Sequence, residues 1–70
     1  MKITTEWNFE KVIDLFPETI EVFHSIGYTE LESPVMRHAA KLLNLQEAAM
    51  LMGADPNRLV EDLNHCINKD

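Results

Sequence analysis

Five short apolar stripes run along the chain, each closed off by asparagine, proline or glycine. Residues 1–7 predict an extended lead-in, with Trp7 buried against the first helix. Asn8 fits an N-cap, and Phe9, Val12, Ile13 and Phe16 recur at helical spacing behind it. Pro17 ends that helix and can open the next, because proline disfavours helical geometry in the residue before it. Glu18 and Glu21 then suit the positive end of a second helix, whose apolar face is Ile20, Phe23 and Ile26 with Val22. Gly27 fits the left-handed position that terminates it.

A polar loop follows, and Ser33-Pro34 predicts the next start, with Ser33 as the cap. The third helix runs from about Pro34 to Leu43 on Met36, Ala39, Ala40 and Leu43, with Val35 and Leu42 widening the stripe. Asn44 and Glu47 have capping-box spacing. Leu45, Ala48, Ala49 and Met52 predict a short fourth helix that ends at Gly53. Asp55-Pro56 opens a fifth, with Leu59, Val60, Leu63 and Ile67 inward and Arg58, Glu61, Asp62, Asn64 and His65 toward water. Residues 68–70 are expected to fray. No segment alternates with period two. The prediction is an all-α fold: one domain over residues 1–70, a compact orthogonal bundle of about five short helices.

Charge narrows the partners. The net charge is −6, and residues 1–33 carry seven acids against two bases. Such a surface repels phosphate backbones and anionic lipid heads, and suits a basic protein partner. The fourth and fifth stripes imitate a helix-turn-helix, but the would-be recognition helix offers Arg58 against Glu61 and Asp62. Nucleic acid is therefore not an expected partner. No apolar run reaches about 18 residues, so no membrane span is expected. The first residues lack a signal-peptide pattern, and a cytoplasmic location is the expectation.

Candidate chemistry is sparse. Cys66 is the single cysteine, so no internal disulfide is available. Glu21 and His24 stand at i, i+3, a spacing that di-iron bundles use twice and this chain shows once. His24, His38 and His65 fall on three different predicted helices without zinc-finger spacing. No metal site, no cofactor and no catalytic residue is expected, and the chain is not expected to be an enzyme. The candidate partner-contact segment is the loop and the helix start beyond it: Tyr28, Glu30, Leu31, Glu32, Ser33 and Arg37. Tyr28 and Leu31 there form an apolar ridge if exposed, or close the bundle if folded inward. Arg37, with His38 and Lys41, makes the one basic patch. The expected partner is another protein or a second copy of the chain. The alternative is a small ligand or metal held by His24, His38, Glu30 and Glu32.

The features occur in a particular order: Phe-Pro-Glu-Thr, Val-Phe-x-x-x-Gly, a loop, Ser-Pro, Leu-x-Glu-Ala-Ala, Gly-x-Asp and Leu-x-x-x-Leu-Asn. As a set over residues 3–67, they resemble a family of small bacterial domains classed as a domain of unknown function. One branch of it is labelled a hybrid-cluster-protein-associated redox disulfide domain. The resemblance implies a compact all-helical fold, found alone or joined to larger redox and sensory proteins. The redox branch carries Cys-x-x-Cys-Pro after the glycine. Glu30 and Ser33 stand at those cysteine positions here, with Pro34 retained, so thiol exchange is not carried over.

Overall fold

Asparagine side chains seam the first half of the molecule together. A computed structural model describes residues 2–68, with five α-helices: α1 (Phe9–Leu15), α2 (Ile20–Ser25), α3 (Pro34–Lys41), α4 (Leu45–Leu51) and α5 (Pro56–Asn68). Asn8 caps α1 by accepting from the Lys11 N–H at 3.0 Å. Its amide nitrogen donates to the carbonyls of Lys41 (2.8 Å) and Leu43 (3.3 Å), so one side chain serves the start of α1 and the end of α3. Asn44 and Glu47 complete the expected capping box, at 2.8 and 2.9 Å. The backbones of Asn8 and Asn44 meet in an isolated antiparallel bridge, and no strand occurs among the described residues.

Proline and glycine set the remaining boundaries. Pro17 opens a single 3₁₀ turn, Pro17–Thr19, before α2 becomes regular, so the second helix starts three residues later than the stripe suggests. Gly27 and Gly53 are the described residues with positive φ, at +120° and +70°. A side chain at Gly27 would also stand 3.2 Å from the Met52 sulfur. The third helix closes at Lys41, with Leu42 as its cap. Of residues 68–70, expected to fray, Asn68 is instead the last residue of α5, and 69 and 70 lie outside the described residues.

The core is aromatic at its centre. Phe9 lies 4.5 Å from Phe23 and 4.8 Å from Tyr28 between ring centroids, the second pair edge-on at 68°. Val12, Ile13, Leu31, Ala40, Leu45, Ala48, Ala49, Leu59 and Leu63 complete it, with Ile3 of the lead-in. Trp7 is half-buried against this cluster. Val35 and Leu42 depart from expectation: they are 80% and 73% exposed. They sit seven residues apart, on one face of the α3 spiral, and that face points away from the bundle.

Asn64 departs as well. Rather than facing water, its side chain clamps the lead-in: Oδ1 accepts from the Ile3 N–H (2.8 Å) and Nδ2 donates to the Ile3 carbonyl (2.9 Å). Both backbone groups of a buried residue are satisfied by one amide from the far end of the chain. Among the described residues no helix is long and apolar enough to cross a membrane.

Candidate functional site

The loop between α2 and α3 does not present its apolar residues. Tyr28 is 3% exposed and Leu31 fully buried, which removes both from any partner-contact ridge. The cause is local and tertiary at once. The Tyr28 N–H folds back to the Phe23 carbonyl at 3.0 Å, past the positive-φ glycine. Its ring then enters the aromatic centre, and its hydroxyl donates to the Ala48 carbonyl in the last turn of α4 at 2.6 Å. Burial pushes the Tyr28 phenol above its ordinary value of 10.0.

The polar members of the segment stay outside. Glu30 and Glu32 are exposed. Ser33 occupies the N-cap position of α3 with extended backbone, and its carbonyl accepts from the Arg37 N–H at 2.9 Å. Its hydroxyl makes no capping hydrogen bond, so the expected cap is a backbone one. Arg37 turns from the loop to α1 and meets Asp14 at 2.6 Å. Lys41 lies 3.9 Å from Glu10, so the basic patch of α3 is spent largely on acids of α1.

The histidines do not converge. His24, His38 and His65 are exposed on α2, α3 and α5. Among the described residues no group of three His, Cys, Asp or Glu side chains is arranged to hold a metal ion. Glu21 and Ser25 face Asp62, His65 and Cys66 across a groove of about 340 Å³ between α2 and α5. There the Cys66 thiol donates to the Glu18 carbonyl at 3.7 Å. A larger groove, about 620 Å³, separates the lead-in from α5. Its central amide, Asn64, is occupied by Ile3.

A third groove was not anticipated from the sequence. Leu43, Glu47, Met50 and Leu51 line about 350 Å³ on the outer side of α4. Met50 and Leu51 are 63% and 69% exposed, so two large apolar side chains stand in water side by side. The signal was present in Met50-Leu51-Met52. Three consecutive large apolar residues span about 200° of a helix, more than a seven-residue helix buries on one side. With Leu45, Ala48 and Ala49 inward, Met50 and Leu51 must point out.

The outer side of α4 thus carries an apolar groove on a helix closed by a capping box, with the Glu47 carboxylate in its wall. Comparison with curated proteins and with solved structures gives no match. Residues 3–60 match the family model of the domain of unknown function (DUF1858), and the chain belongs to that family.

Proposed function

We propose that this domain is a non-catalytic accessory module that docks a protein partner through the outer groove of α4. The observation that carries the reading is the exposure of Met50 and Leu51 beside Leu43 in one groove. Water-exposed apolar side chains gathered at one place gain free energy when a partner covers them. Methionine adapts its shape to such a partner. The capping box at Asn44 and Glu47 and the Tyr28 hydroxyl fix α4 at both ends, so the face is preformed. The resemblance to domains joined to redox and sensory proteins supports an accessory role, and Glu30 and Ser33 in place of cysteines support a role without thiol exchange.

The test compares wild type with Leu51→Asp as baits. The partner is identified by mass spectrometry, purified, and titrated back by calorimetry. A partner that binds wild type directly and loses at least about tenfold in affinity for Leu51→Asp supports the reading. Equal binding by both baits removes this surface from it.

A further inference from the structure

We propose that the occupant of the α4 groove is a cationic amphipathic helix of another protein; this rests on the docking reading above and names its partner. Two observations choose the occupant. The first is charge. From Asn44 to Pro56, the chain that builds the α4 side of the groove carries Glu47 and Asp55 and no lysine or arginine. The bases that flank this segment both face acids: Lys41 at the end of α3 lies 3.9 Å from Glu10, and Arg58 of α5 meets Asp62 at 3.2 Å. A second copy would bring another net charge of −6 against the first, which opposes self-association at low salt. A partner carrying Lys and Arg around its apolar stripe meets Glu47 favourably at the rim.

The second observation is the form of the groove. Its walls are side chains of α4 and Leu43, and no strand edge exists among the described residues. Strand addition has nothing to pair with. The groove lining holds no aromatic side chain to seat a polyproline segment, and the mode that fits an apolar groove lays side chains at i, i+3, i+4 and i+7 into it, which is what an amphipathic helix supplies.

The probes are two designed amphipathic helices of about four turns. They share one leucine stripe; the other positions are all lysine in one and all glutamate in the other. Each is titrated into the isotope-labelled domain and followed by amide chemical shifts. The lysine peptide should move the amides from Leu43 to Leu51 and bind at least about tenfold more tightly than the glutamate peptide. Met50→Ser/Leu51→Ser should lose at least about tenfold. Glu47→Gln keeps a capping box, because glutamine serves at that position, and should weaken the lysine peptide about 2- to 5-fold.

Equal binding of both peptides at these amides overturns the cationic partner and leaves docking standing. Concentration-dependent shifts of the same amides in the free protein replace the helix by a second copy. Shifts only elsewhere, or undiminished binding by the double variant, overturn the proposed site. No response at these amides to either peptide or to concentration overturns the docking reading as well.

Discussion

Replacing Tyr28 by phenylalanine isolates one oxygen atom. The ring stays, and with it the edge-on contact to Phe9 at 4.8 Å. What is lost is the hydroxyl that donates to the Ala48 carbonyl at 2.6 Å. Ala48 lies in the last turn of α4, where carbonyls have no partner within the helix, and it is fully buried. A neutral hydrogen bond is worth about 0.5–1.5 kcal/mol net, and an orphaned buried acceptor about 1–3 kcal/mol. The expected loss is therefore about 1–2 kcal/mol. For a domain of this size, each kcal/mol moves the thermal midpoint by about 4–8 °C. Tyr28→Ala removes the ring too and should cost about 3–5 kcal/mol. The pH dependence supplies an independent arm. Burial raises the phenol above 10.0 in the folded state. Above that pH the unfolded chain releases the proton while the folded one keeps it, so the unfolded state binds fewer protons and stability falls as pH rises. The contribution is fully present below pH 10 and is lost as pH climbs through the raised native value. Chemical denaturation of wild type and Tyr28→Phe from neutral pH upward reads both effects. Tyr28 is the single tyrosine, so tyrosinate absorbance reports its ionisation directly. A Tyr28→Phe variant within about 0.3 kcal/mol of wild type at neutral pH, with the same alkaline slope, would refute the inward placement.

Three further outcomes are expected. Asn64→Ala should cost about 2–3 kcal/mol and speed hydrogen exchange at Ile3, because both Ile3 backbone groups lose their partner; Asn64→Asp keeps the acceptor, loses the donor and should fall between. Gly27→Ala should cost about 2–3 kcal/mol, for its φ of +120° lies outside the narrow left-handed well and Met52 crowds a Cβ there. Gly53→Ala, at +70° with open space around it, should cost about 1 kcal/mol, and denaturation of the pair decides the order. Met50→Ser and Leu51→Ser should each leave stability within about 0.5 kcal/mol of wild type by thermal melting; a loss above about 1 kcal/mol would show that these side chains are not exposed.

The sequence spoke most clearly where a residue acts on its near neighbours. Asn8 reaches Lys11, Asn44 reaches Glu47, and Gly27 and Gly53 end helices within a few residues of themselves. Those signals need no tertiary fold, and the five helices fall where they point. What stayed hidden depends on distant chain. The Tyr28 hydroxyl is claimed by Ala48, Asn64 by Ile3 and Arg37 by Asp14. Nothing within one helical turn of Asn64 marks it as different from Glu61 or His65. Leu42 and Val35 fit a core stripe by period, yet two or three helices must agree on which side of α3 is inside. In the candidate site the apolar excess of Met50-Leu51-Met52 was legible, while the loop at Tyr28 and Leu31 drew attention because a polar setting made its apolar residues conspicuous. They are conspicuous there because they leave the loop for the core.

The two faces of α4 do separate work, and this is what makes the docking reading separable from stability. A helix of seven residues does not hold itself in water. Its persistence comes from Leu45, Ala48 and Ala49 on the inner face and from hydrogen bonds at each end. Alanine at two inner positions draws the α4 backbone close to its neighbours, and the larger side chains are left for the outside. Met50 and Leu51 contribute little to that support, since most of their surface remains in water when the chain is folded. Selection for stability alone would favour polar residues at both positions, which lower the risk of aggregation without loosening the core. On the docking reading, their apolar character is explained by a partner that covers them, and the charge along Asn44 to Pro56 sets the sign expected of it.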